Sequence, residues 1–94
     1  MPKVTILSRE ETARSLEPGR FELTVAVTYS SAAVSPRILV LPRAVYRPAT
    51  AAELAKAPRL LLLPTDVKAA QAERDAIVAD LSTIVSGPIS AWEF

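Results

Sequence analysis

The sequence predicts an α+β fold: an antiparallel sheet of three or four strands packed on one face by a long C-terminal helix. Two patterns and one turn carry that expectation. Phe21, Leu23, Val25, Val27 and Tyr29 alternate strictly with Glu22, Thr24, Ala26, Thr28 and Ser30, the two-residue period of a strand with one wet face. Ala70, Ile77, Val78, Leu81, Ile84 and Val85 recur at helical spacing near the end of the chain, which makes one apolar stripe on a helix. Between Leu16 and Phe21 stands Glu17-Pro18-Gly19-Arg20, where proline presets φ at the second position of a turn and glycine supplies the positive φ a type II turn needs at the third.

The elements follow in order. Lys3-Val4-Thr5-Ile6-Leu7 alternates and predicts a strand over about 3–8. Ser8 and Glu11 then stand at capping-box spacing, which fits a helical turn or two through Leu16 as well as an irregular connection. The strand over 20–30 is the clearest in the chain. After a loop, a strand is expected over 36–42, and Arg37-Ile38-Leu39-Val40-Leu41 is apolar on both faces, which places it centrally. Pro42 ends its pairing, because proline has no amide hydrogen to donate. Residues 43–49 read as a polar connection. Thr50 and Glu53 form a second capping-box pattern and open a short helix over 50–57, which Pro58 stops. Residues 59–63 read either as a fourth strand or as a helical turn.

Pro36–Pro42 and Pro58–Pro64 echo one another, each Pro-Arg-x-Leu-x-Leu-Pro, twenty-two residues apart. Two copies fall short of a solenoid, so the echo reads as two core strands with similar stops. The last helix is expected over 66–86, capped by Thr65 or Asp66 and ended by Gly87-Pro88. Glu73, Arg74, Asp75 and Asp80 fall on its other faces, as solvated charges.

The 94 residues predict one domain over 1–94, with an aromatic tail at 88–94. Half of the residues are hydrophobic and the mean hydropathy is +0.25. So short a chain buries only roughly two-thirds of its unfolded surface, and surplus apolar area either stays exposed or meets a partner. The chain is therefore expected to pair with itself, as a homodimer or higher oligomer, with another protein as the alternative partner. Ile89, Trp92 and Phe94 are candidate interface residues, since aromatic anchors are enriched at interface hot spots.

The absences narrow the chemistry. The chain has no His and no Cys, hence no imidazole base, no thiolate nucleophile and no disulfide. It also has no Asn and one Gln, and Arg outnumbers Lys eight to three. That pattern matches either thermophily or a GC-rich genome. No two carboxylates converge at a spacing suited to acid–base work, two glycines cannot form a phosphate cradle, and no carboxylate run resembles a calcium loop. No catalytic residue, no metal ligand and no cofactor is expected. An enzyme ranks third, since substrate-assisted or shared-subunit sites escape a search along one chain.

Net charge is +1, too small for a global field that would hold nucleic acid or an acidic membrane. Residues 1–49 carry seven Lys/Arg against four acids, and residues 50–94 carry four against six, a polarity that would suit head-to-tail or antiparallel self-association. Arg37, Arg43, Arg47 and Arg59, with Tyr46 between two of them, form the alternative candidate site, for an anion or a nucleic acid. No leader is visible and no fully apolar run is longer than the four residues of Leu60–Leu63, far below the roughly 20 residues that span a bilayer. A cytoplasmic location without membrane contact is the default expectation.

Overall fold

The computed structural model describes residues 3–31 and 34–85. Strand β1 (Val4–Glu17) and strand β2 (Arg20–Ser31) form a long hairpin, and β3 (Val34–Pro42) adds to β2, giving an antiparallel sheet of order β1-β2-β3. A 3₁₀ turn (Arg43–Val45) leads to β4 (Tyr46–Pro48), helix α1 (Ala51–Lys56) and β5 (Leu62–Pro64), and β4 pairs with β5 in a second small sheet. Helix α2 spans Val67–Leu81. The α+β class and the sheet-plus-helix arrangement are those expected.

One face of β2 organises the core. Tyr29 joins Val4, Ile77 and Leu81 beneath α2. Val25 and Val27 join Tyr46 and Leu62 beneath the small sheet. A single alternating stripe thus meets two covers in succession, and Val25, Val27 and Tyr29 lose their water to them. The outward residues Ala26 and Thr28 remain half-exposed.

Four local expectations are corrected. The capping-box pattern at Ser8 and Glu11 forms no helix, because β1 continues through it, paired residue by residue with β2 up to Glu17↔Arg20. The Pro18-Gly19 turn closes the hairpin and the strong period of β2 templates its weaker partner. A register shift between Ile6 and Ser8 leaves Leu7 as the extra residue of a bulge. β3 is an edge strand rather than a central one. Its Leu39 and Leu41 pack on the core while Ile38 and Val40 face solvent, so apolarity on both faces here marks an uncovered surface. Its last pair is Thr24↔Pro42, as the proline requires.

The third correction concerns residues 43–49, which are a 3₁₀ turn followed by β4. The 59–63 segment joins no main-sheet ladder. Leu60 makes only a parallel bridge to Arg9, whose amide donates to the Arg59 carbonyl at 3.2 Å, and β5 proper begins at Leu62. The two halves of the Pro-Arg echo therefore lie in different sheets.

The fourth is the extent and facing of α2. The helix ends at Leu81, where the Ser82 and Thr83 hydroxyls donate to the carbonyls of Ala79 and Asp80, at 2.7 Å each. Side chains that engage backbone carbonyls in this way favour termination. Its buried file is Ala69, Glu73, Ile77 and Leu81, at four-residue spacing, whereas Ala70 and Ile84 are exposed. The Asp66 carboxylate caps α2 by accepting from the Ala69 amide at 2.8 Å. Thr50 and Glu53 form the expected capping box on α1.

Gly19 adopts φ +81°, in the left-handed region that glycine enters without steric cost. A Cβ at this position would meet nothing within 4 Å, so Gly19→Ala carries backbone strain alone. It is expected to cost about 1–2 kcal/mol, read as a lower urea midpoint with an unchanged slope.

Candidate functional site: paired clasps and an uncovered arm

Each of the protein's two tyrosines is bound to a carboxylate of α2, and each carboxylate is bound to an arginine of the sheet. Arg9 of β1 donates to Glu73 through Nε at 2.9 Å and Nη2 at 2.7 Å, and Tyr46 Oη donates to the same carboxylate at 2.6 Å. Arg9 is 8% and Glu73 6% exposed, so this clasp is buried. Seven residues along the helix, Asp80 accepts from Arg37 Nε at 2.7 Å, from Arg37 Nη2 at 3.1 Å, and from Tyr29 Oη. Two helical turns separate Glu73 from Asp80, which puts both on one side of α2. The arginine forks match the carboxylates bidentately, and no side-chain nitrogen or oxygen buried among the described residues lacks a partner.

These contacts set the ionisation of the site. Burial, reinforced by the bond to Asp80, pushes the Tyr29 hydroxyl up to about 12. Burial first, and then the bond to Glu73, pushes the Tyr46 hydroxyl higher still. Arg37 first, helped by Tyr29, holds the Asp80 carboxyl below the usual carboxylate range. A tyrosine whose folded value lies above its unfolded value of about 10 stabilises the fold fully below that pH. It gives up that contribution as pH rises through its folded value. We therefore expect alkaline unfolding to begin above pH 10 and to accelerate toward about 12, with tyrosinate absorbance rising together with loss of helix circular dichroism. Early, separate titration of either tyrosine would contradict this. The carboxylates act oppositely: Glu53, held at about 2 by Arg47 and the Thr50 amide, and Asp80 stabilise the fold above the carboxylate range and cease to do so as pH falls through their folded values.

The arginine cluster proposed for anions is divided among three carboxylates. Arg37 meets Asp80 of α2, Arg43 Nε meets Glu11 of β1 at 2.8 Å, and Arg47 meets Glu53 of α1 through two bonds of 2.9 Å. Arg43 Nη1 also donates to the Tyr46 carbonyl at 2.7 Å. Tyr46 is buried, with its hydroxyl turned to Glu73 rather than offered as a stacking platform. Arg59 is exposed. The other candidate set, Ile89, Trp92 and Phe94, lies outside the described residues.

Two shallow hollows border α2. One, of about 240 Å³, is lined by Ile6, Val67, Ala70, Glu73, Arg74 and Ile77 among others, and the second, of about 270 Å³, by Val45, Asp66, Lys68 and Ala69 among others. The Glu73 carboxylate beside the first already accepts three hydrogen bonds. Among the described residues no group of three His, Cys, Asp or Glu could hold a metal ion, and no helix is long and apolar enough to cross a membrane.

Besides single exposed residues such as Val67 at the start of α2 (86%), two strand surfaces are apolar and uncovered. β3 pairs with β2 only from Thr24 onward, so the β1–β2 hairpin runs past it as a two-stranded arm of residues 13–23. There the core stripe of β2 continues with Leu23 at 56% and Phe21 at 70% exposure. The second place is the sheet face turned away from α2, where Ile38 is 66% and Val40 52% exposed. Sequence reading missed both clasps by treating Glu73 and Asp80 as solvated. It also missed the arm, because a stripe reads the same whether it is covered or open. The legible signal for Glu73 was its place four residues from both Ala69 and Ile77.

No family model, no curated protein and no solved structure matches this chain.

Proposed function

We propose that the protein is a non-enzymatic interaction module that associates with copies of itself. The observation that supports this reading best is the exposure of large apolar side chains at alternating positions of ordered strands, Phe21 and Leu23 on the arm and Ile38 and Val40 on the open face. Scattered apolar residues are ordinary on a surface, but contiguous ones mark contact sites. The chemistry of the chain agrees, since it lacks imidazole and thiol, and most of its cations are spent on internal carboxylates. The test is native mass spectrometry of the full chain at micromolar concentration. A dimer or larger assembly is expected, and a single-subunit mass throughout would overturn the proposal.

A further inference from the structure

Resting on that reading, we infer that the β-arm of residues 13–23 is the self-association surface and that its occupant is the same arm of a second copy. The inward stripe of β2 runs through three environments. Tyr29 lies under α2, Val27 and Val25 under the small sheet, and Leu23 and Phe21 under nothing. A two-stranded hairpin without a cover is marginal in water, yet this arm keeps its pairing to the Glu17↔Arg20 end. A third cover completes the pattern.

The shape of the arm suits a copy of itself. The residues opposite Leu23 and Phe21 on β1 are Ala13 and Ser15. Small residues beside large ones make a shelf next to a ridge, and a twofold axis lays the ridge of each arm on the shelf of the other. Its charges point the same way. Arg14 is paired with Glu22, Arg20 with Glu17 at 2.9 Å, and Glu11 with Arg43 at 2.8 Å. A strongly charged partner finds no unmatched countercharge there, whereas a second arm brings the same neutral alternation of acids and bases.

The area closes as well. Phe21 and Leu23 leave roughly 300 Å² of apolar surface open on each arm, the size of the largest patch on a typical monomer, which is often functional. Two arms supply roughly twice that, close to the apolar share of the smallest specific interfaces, which bury about 1,200 Å² in total. The free edge of β3 is a poorer route. It carries Pro36 and Pro42, which have no amide hydrogen to donate to an added strand.

The test compares the double variant Phe21→Glu/Leu23→Glu with Ile38→Glu/Val40→Glu, both checked for folding by circular dichroism, and reads the dimer dissociation constant by analytical ultracentrifugation. The single variant Phe21→Ser, at an exposed position, serves if the double arm variant does not fold. The arm variants are expected to weaken the dimer at least tenfold, as loss of a hot-spot anchor does, while the sheet-face variant leaves it unchanged within about twofold. Equal loss in both, loss only in the sheet-face variant, or loss in neither overturns the arm while leaving self-association standing. A wild-type chain that stays single at every concentration overturns both.

Discussion

Glu73→Ala is expected to destabilise the fold by about 3–5 kcal/mol, because it strips a buried arginine of its partner. A chain of 94 residues has roughly 5–10 kcal/mol of stability in all, so the variant should sit at the margin of folding, with a melting temperature about 15 °C or more below wild type. The cause is local. Arg9 is 8% exposed, so its guanidinium would be left largely buried without its carboxylate partner. Tyr46→Phe removes only the third bond to that carboxylate and should cost nearer 1 kcal/mol. Replacing the whole clasp, as Arg9→Met, Glu73→Leu and Tyr46→Phe together, should recover most of the loss, since apolar groups of similar volume carry no desolvation cost. Urea melts of the four proteins check the series. A Glu73→Ala midpoint equal to that of Tyr46→Phe would show that the clasp contributes little.

The second large effect separates two residues that the sequence cannot tell apart. Leu81 and Ile84 belong to one apolar stripe by spacing, but Leu81 is 0% and Ile84 47% exposed. Leu81→Ala should open a cavity against Val4, Tyr29 and Ile77 and cost about 2–5 kcal/mol. Ile84→Ala should cost under about 1 kcal/mol, as truncation at a half-exposed site does. Similar losses for the two would contradict the termination of α2 at Leu81 and the turn that swings Ile84 outward.

That pair shows where sequence patterning runs out. The period of β2 was legible because both of its covers act on one face, and solvent reads out as the polar alternate. The capping box on α1 was legible because Thr50 and Glu53 need only each other. β1 beyond Ser8 was not, since its conformation is imposed by pairing with β2 rather than by its own side chains. The position of β3 was misread because an apolar face seen along one strand does not reveal whether a second layer lies over it. Glu73 and Asp80 were invisible as clasps for a related reason: a carboxylate enters a core only when a distant arginine accompanies it. Those arginines, Arg9 and Arg37, lie 64 and 43 residues away.

The molecule divides into a fastened side and an open side. Two of the α2 carboxylates, Glu73 and Asp80, are tied to the sheet, and the small sheet closes the middle of β2. What remains is the arm and the outer face. The arrangement gives hydrogen exchange a simple reading, because local opening tracks the cover that each amide has.

Hydrogen–deuterium exchange of the full chain at a low and a high protein concentration tests this division most directly. The amides of α2 should exchange slowly and identically at both, held by the two clasps, while those of residues 13–23 should slow markedly at the higher concentration as arms meet. Arm amides that exchange equally fast at both concentrations, beside an α2 no better protected than the arm, would contradict the account.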